Sequence, residues 1–425
     1  MASRLIIRTI TLTNGERLPL PIERATGIPL YKPTLFALTE ARQRNRATAT
    51  ILRTLRELSV FFDFISEHDI QLEERMKVGQ LLSLWEIDAL ARRCREHIGS
   101  ADHLDTDQTS LREARVLSLE KVRMRRAQSK SDIVAPQTAA NRIRTIHAYL
   151  EWLTSTYLSG HSLTAEYNAM LRSASADALG TLLQRIPKSK GRNTLEQREG
   201  IPNEVLDRIL TMIDPASPEN PWRDRFARAR NVLIIYLLRT LGLRRGELLN
   251  IKISDIDFRK NEISILRRPD DPMDPRIHQP RVKTRERILP LTESLVTVIE
   301  HHILYERARI PGAKKQAFLF ITERTGQPMS LAALNKLFRV LRAKLPDLPE
   351  DFSPHVLRHD WNDEFSERMD ARKISEAEEQ RYRSYLMGWS PTSNTAATYT
   401  RRHVRNKAMA VSLEIQAGKP RKKSE

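Results

Sequence analysis

The sequence predicts a mainly α-helical protein in two domains, the second carrying a small β-hairpin and sheet insertion. Three observations predict it. Apolar residues recur at three- and four-residue spacing through most of the 425 residues, and hydrophobic side chains make up 40% of them, enough for real cores. The segment RIPKSKGRNTLEQREGIP, 185–202, has two prolines, two glycines, many charges and almost no apolar content, as a linker would. Beyond it, two strand-like stretches, EISILRR and RVKTRERILPL, interrupt a helical pattern. The expected division is an N-terminal arm over 1–34, a helical domain over 35–184 and a linker over 185–201. A second domain over 202–410 and a helix end with a basic tail over 411–425 follow.

Taken in order, RLIIRTITLTNGERLPL alternates and holds an Asn14-Gly15 turn signal, so a hairpin is expected. Pro19, Pro21, Pro29 and Pro33 then block long helices. ATATILRTLRELSVFFDFISEHDI gives a helix whose stripe is Ile51, Leu55, Leu58, Phe62 and Ile65, with Arg53, Arg56 and Glu57 opposite. LLSLWEIDALARRCREHI gives a second helix, followed by a polar stretch over 99–112. Ala135 to Tyr157 gives a third, striped by Ile143, Ile146, Leu150, Leu153 and Tyr157. Past the linker, NEVLDRILTMI and RNVLIIYLLRTLG are helices, and the two strand-like stretches flank the proline-rich RPDDPMDPRIHQP. Helices resume at SLVTVIEHHILYERAR and LAALNKLFRVLRAKL. A short helix over 404–416 exposes Val404, Met409, Val411 and Leu413 either to its own domain or to a neighbouring copy, and GKPRKKSE ends the chain.

Charge bounds the partner. Lys and Arg number 71 against 53 Asp and Glu, a difference of +18, and the pI is near 10.1. A chain this basic is suited to a polyanion. The one cysteine, Cys94, excludes disulfides within the chain and thiolate zinc clusters. MASRLIIRTITLTNGER lacks the apolar core of a signal peptide, and the longest apolar run, Val232 to Leu238, is too short to cross a bilayer. A cytoplasmic protein with no membrane partner is expected.

The chemistry concentrates in SPHVLRH, 353–359. Ser353 suits an N-cap and Pro354 a first helical position. His355, Arg358 and His359 then share one arc of the first turns, where spare N–H groups and the helix dipole favour an anion. A metal reading must place a guanidinium between two imidazoles, and the zinc-protease pattern needs Glu where Val356 stands. The anion reading needs further cations. TLGLRRGELLNIKISDID places Arg244 just after Gly242 at a helix junction, with Glu247 three residues on to pair with a nearby cation. RVKTRERILPL offers Lys283, and MGWSPTSNTAATYTRRH offers Trp389 and Tyr399.

In order, T-L-G-L-R-R-G-E, V-K-T, H-V-L-R-H, M-G-W and T-Y-T, with Trp389 and Tyr399 ten apart, resemble the tyrosine site-specific recombinases, the phage integrase family. The resemblance covers about 200–410 by motif, and 35–180 more loosely as a helical core-binding domain. It implies a two-domain DNA clamp that cuts and rejoins double-stranded DNA through a 3′-phosphotyrosyl intermediate, in integration or excision of a mobile element. Arg244 and Arg358 resemble the arginines that hold the scissile phosphate. Lys283 looks like the acid on the leaving 5′-oxygen and His355 like the proton-handling or orienting histidine. Trp389 stands where others have a second histidine, and Tyr399 resembles the nucleophile. Glu247 and His359 are read as supports. Arg42, Arg44, Arg46, Arg142 and Arg144 are candidate DNA contacts in the first domain. The resemblance further implies a homotetramer on two duplexes, a monomer or dimer off DNA, and accessory DNA-bending or directionality proteins.

The residue types fit that chemistry. Two guanidiniums stay charged and match the equatorial oxygens of a pentacovalent phosphorus. They take a metal's Lewis-acid role, and the phosphotyrosine ester conserves the bond for religation, so neither metal nor nucleotide cofactor is expected. Two departures stand out: DEFSERMDARKISEAEEQRYRSYLM lacks the family's glycine turn, and a proline-rich 269–280 insertion precedes Lys283. The competing functions are a DNA-binding accessory protein without activity, and a type IB topoisomerase-like or telomere-resolving enzyme.

Overall fold

The computed structural model describes residues 3–44, 46–97, 133–160, 164–188, 201–346, 348–390 and 401–417, without the side chains of 401–406. The polar stretch 99–112, most of the linker and the basic tail therefore lie outside the described residues. The chain divides into two units, Met1–Asn193 and Thr194–Glu425.

The first unit opens on a hairpin. β1 (Leu5–Thr11) pairs antiparallel with β2 (Arg17–Glu23), in register from Leu5 opposite Glu23 to Thr11 opposite Arg17. A two-stranded ribbon tolerates Pro19 and Pro21 because each strand has an edge that needs no donor. The hairpin does not project as a separate arm. Asp63 accepts from the Ser3 hydroxyl at 3.1 Å and the Arg4 backbone N–H at 2.8 Å, and Leu5 is buried.

Asp63 belongs to α2 (Thr48–Glu67), which follows α1 (Tyr31–Phe36) and a π-helical turn over Ala37–Arg42. The buried stripe of α2 is Ile51, Leu55, Leu58, Phe61 and Phe64; Phe62 and Ile65, expected on that stripe, are only half-buried at its margin. α3 (Leu72–Lys77), α4 (Leu84–Arg93), α5 (Pro136–Gly160) and α6 (Ala165–Gln184) complete the bundle. Tyr149 of α5 is its aromatic centre, with Phe36, Phe62 and Phe61 edge-on at 5.3, 5.6 and 6.1 Å.

The second unit is built around α8 (Arg225–Leu241), whose Leu233, Ile234, Leu237 and Leu238 are fully buried. α7 (Asn203–Ile213) precedes it and the short α9 (Arg245–Leu248) follows. Three strands, β3 (Ile256–Asp257), β4 (Glu262–Ile265) and β5 (Arg287–Pro290), form an antiparallel sheet in that order. RVKTRERILPL, expected as one strand, joins the ladder only from Arg287 onward. α10 (Glu293–His301), a π-helical turn over His302–Glu306, α11 (Leu331–Lys344), α12 (Pro354–Ala371), α13 (Glu376–Met387) and α14 (Arg401–Gln416) follow. No helix among the described residues is long and apolar enough to cross a membrane.

The missing glycine turn is explained at the end of α12. Lys373 sits at φ 55, in the left-handed region. Its N–H donates to the Asp370 carbonyl at 2.9 Å, and the Ile374 N–H to the Met369 carbonyl at 3.1 Å, the pairing of a Schellman cap. A lysine thus takes a position glycine adopts without steric cost. Lys373→Gly is expected to raise unfolding stability by about 0.5–1 kcal/mol, measured by urea titration; an unchanged midpoint would contradict the strain.

His302 is buried and stacks on Phe226 at 5.7 Å, and neither ring nitrogen has a hydrogen-bond partner. Burial first, then the charges of Arg230, Arg307 and His301, pull its pKa down to about 3. The folded state keeps the ring neutral, whereas the unfolded chain takes up a proton below its ordinary value of about 6.5. Stability from this site is complete above that value and falls as pH drops toward 3. His302→Leu should therefore gain on the wild type by up to about 1.4 kcal/mol per pH unit as pH falls from 6.5 to 5, read from paired melts. A constant difference across that range would refute it.

Candidate active site

A glycine opens the site. α8 ends on Gly242, whose φ of 58 turns the chain sharply. A Cβ there would lie 2.8 Å from Met387 Cε and 3.1 Å from the Trp361 ring, so no other residue fits without movement. The next turn begins at Arg244, which caps α9 with extended backbone. Its N–H donates to Glu247 Oε2 at 3.1 Å, and its guanidinium Nη1 stands 3.4 Å from Oε1.

Glu247 is buried, with 1% of its surface exposed. Arg287 Nη2 donates to its Oε2 at 2.8 Å, the Thr284 hydroxyl donates to Oε1 at 2.7 Å, and Arg358 Nη1 stands 4.0 Å away. Burial alone would raise this carboxyl's pKa. The charges of Arg287 and Arg358, with the hydrogen bonds from Arg287 and Thr284, outweigh it and hold the group below the usual carboxylate range. A buried anion therefore stands among three guanidiniums.

Arg358 lies in the second turn of α12 and has no exposed surface. Its Nη1 donates to the Gly242 carbonyl at 2.5 Å and its Nη2 to the Met387 carbonyl at 3.3 Å. Its carbon Cζ lies 5.5 Å from the Trp389 ring centroid, within cation–π range. Trp389 is buried against Met387 and Trp361, just past the left-handed Gly388 that ends α13. On the same helix as Arg358, His355 is half-buried and His359 buried.

Lys283 lies in the long connection between β4 and β5, outside the ladder, rather than in a strand of the hairpin. It is exposed, while Thr284 beside it is buried. The sequence therefore brings Arg244, Glu247, Arg358 and Trp389 to one place, with Lys283 attached through its neighbour. Tyr399 lies outside the described residues. Thr284 and Arg287 escaped sequence reasoning: alternation marks Arg287 as a strand residue and nothing distinguishes Thr284 from a solvated threonine. Among the described residues no group of three or more His, Cys, Asp or Glu could hold a metal ion.

The candidate DNA contacts of the first unit divide. Arg44 and Arg46 are exposed, Arg44 pairing with Glu40 at 2.6 Å, and Arg144 is exposed on α5. Arg42 is half-buried and bonds Glu16. Arg142 corrects the surface expectation. It is 6% exposed, and its Nη1 donates to the Cys94 carbonyl at 2.9 Å and the Glu96 carbonyl at 2.6 Å. It ties the end of α4 to α5, a role that helical periodicity alone does not separate from an outward arginine.

Residues 201–405 match the family model described as the phage integrase family. Tyrosine recombinase XerD of Proteus mirabilis is 25% identical over 221 residues, covering 49% of this chain and 65% of that protein. Tyrosine recombinase XerC of the same organism is 25% identical over 248 residues, covering 58% of this chain and 64% of that protein. The chain thus spans slightly under two thirds of these two relatives. A solved structure of the XerH site-specific recombinase bound to palindromic difH substrate, a post-cleavage complex, is 18% identical, with a TM-score of 0.49, covering 89% of this chain and 88% of that one.

Removing the charge of Glu247 while keeping its shape leaves the guanidiniums without their shared anion. Glu247→Gln should cost roughly 3–5 kcal/mol of stability, the range for breaking a buried pair, measured by chemical denaturation. A loss below about 1 kcal/mol would show that solvent, not this carboxylate, balances those cations.

Proposed function

We propose, since this chain belongs through residues 201–405 to the phage integrase family, that it is a site-specific recombinase that breaks and rejoins double-stranded DNA. The observation that carries the reading is the convergence of Arg244 and Arg358 on one buried carboxylate, with Lys283 tethered beside it. Two guanidiniums can grip the scissile phosphate and stabilise charge gathering on its equatorial oxygens. The Tyr399 oxygen attacks phosphorus as the bond to the 5′-oxygen breaks. His355 receives the phenol's proton and Lys283 gives one to the departing oxygen. Trp389 donates its indole N–H to the phosphate but cannot shuttle a proton. Glu247 and His359 hold these groups in place. The 3′-phosphotyrosyl ester conserves the bond for religation, so no metal or nucleotide is called for.

The chain binds duplex DNA, with Arg42, Arg44, Arg46 and Arg144 as contacts in the first unit. Affinity then falls steeply with salt, with a slope of about −0.9 per phosphate neutralised. Recombination takes two duplexes and four copies. The tail of α14 supports this assembly, because Met409, Val411, Leu413 and Ile415 are 54–74% exposed and suit the surface of a neighbouring copy. The biological role is integration or excision of a mobile element, aided by DNA-bending or directionality proteins in the cytoplasm.

The test is a nicked suicide duplex whose recognition sequence is obtained by selecting the full chain's ligands from a random pool. The wild type should become covalently attached to the 3′-phosphate, and Tyr399→Phe should bind equally but form no adduct. Binding without adduct by the wild type would favour the inactive accessory protein.

A further inference from the structure

We propose that Thr284 is a positioning residue that sets the place of Lys283 by tying it to the carboxylate shared by the arginines. The inference rests on the reading of Lys283 as proton donor to the leaving oxygen. It starts from a puzzle in the fold: 21 residues, 266–286, join two four-residue strands without a strand of their own, yet much of this connection is held to the body. Loops of this length inside a domain usually serve a function.

Its first half is braced by buried charge. Arg276 pairs with Asp274 at 2.8 Å and donates through Nη1 to the carbonyls of Leu249 at 3.1 Å and Met329 at 2.8 Å. Its Cζ lies 4.5 Å from the Phe318 ring centroid. Lys252 binds Asp271 at 2.7 Å, and the Gln279 side-chain amide donates to the Asp271 carbonyl at 2.7 Å. The chain then runs over Gly246 so closely that a Cβ there would sit 2.1 Å from the Arg281 carbonyl oxygen.

Beyond Lys283 the path is pinned again. Thr284 Oγ donates to Glu247 Oε1 at 2.7 Å and accepts from Arg287 Nη1 at 3.1 Å. The Arg285 N–H donates to the Gly388 carbonyl at 2.9 Å. Lys283 is thus an exposed side chain on a backbone fixed on both sides, by Val282 packed against the core before it and by the hydroxyl of Thr284 after it. That hydroxyl meets the carboxylate that also receives Arg244 and Arg287. The place of the acid and the place of the phosphate grip therefore depend on one group.

The step offers a selective readout. The Tyr399 oxygen forms a bond to phosphorus, the phosphorus–O5′ bond breaks with its electron pair going to O5′, and the Lys283 ammonium supplies a proton to that oxygen. If sulfur replaces the bridging 5′-oxygen, the leaving group is a thiolate, whose conjugate acid has a pKa of about 8.5 and which departs without a donated proton. Loss of acid catalysis, worth roughly 10²–10⁴-fold, then no longer matters. Damage to the arginine grip still would.

Adduct formation is measured with the selected suicide duplex, carrying either 5′-oxygen or bridging 5′-sulfur, for wild type, Lys283→Ala, Thr284→Val and Thr284→Ser. Thr284→Val should be at least tenfold slower on the oxygen duplex and within about threefold of wild type on the sulfur duplex. Thr284→Ser, which keeps the hydroxyl, should restore the oxygen reaction. Equal slowing of Thr284→Val on both duplexes would make Thr284 a support of the arginines or of the fold and overturn the proposal; so would no slowing on either. If Lys283→Ala is not rescued by sulfur, the role of Lys283 fails and this inference with it. If the wild type forms no adduct on either duplex, the recombinase reading itself fails.

Discussion

A carboxylate cut off from water decides where the cations of this site stand. Glu247 is buried among Arg244, Arg287 and Arg358, and an anion in that setting is tolerable only because each neighbour is held at a defined distance. The dependence runs both ways. Guanidiniums crowded together repel unless a counter-charge sits between them, and this counter-charge cannot drift, because Thr284 and a backbone N–H also hold its oxygens. On the proposed reading, Arg244, which resembles a phosphate ligand, is thereby held in place before DNA arrives, which is how an enzyme lowers the reorganisation needed in a transition state.

Helix ends complete the frame. Gly242 and Gly388 close α8 and α13 in left-handed conformations, and the carbonyls of Gly242 and Met387, at those two ends, receive Arg358. Side chains at either glycine would strike the packing: at Gly388 a Cβ would meet Thr284 Cβ at 2.8 Å and the Arg285 carbonyl at 2.9 Å. Two helix termini, a loop and a strand therefore meet around one arginine with no room for a methyl group.

The helices, the hairpin of residues 5–23 and the order of the motif residues were legible because each rests on local signals: periodicity, a turn dipeptide, a proline- or glycine-bearing boundary. What escaped depends on who meets whom in space. Periodicity cannot say that Arg142 turns inward to two carbonyls, or that Lys373 will tolerate a left-handed conformation. Nor does it show that the proline-rich insertion before Lys283 is braced by a buried Arg276–Asp274 pair. The π-helical turns at 37–42 and 302–306 look like ordinary helix from their apolar spacing. Strand propensity likewise overstated β5, because Thr284 answers to Glu247 rather than to a neighbouring strand.

Arg358 has no accessible surface, and its Nη1 and Nη2 already donate to the main-chain oxygens of Gly242 and Met387. On the proposed chemistry, a phosphodiester that takes Nη1 or Nη2 competes with those oxygens, which must then find other partners. A duplex that fits loosely gains too little to drive that exchange. The same hydrogen bonds that order the empty protein would thus act as a safety catch, sparing passing DNA from stray nicks and reserving scission for a sequence that grips well enough to release it.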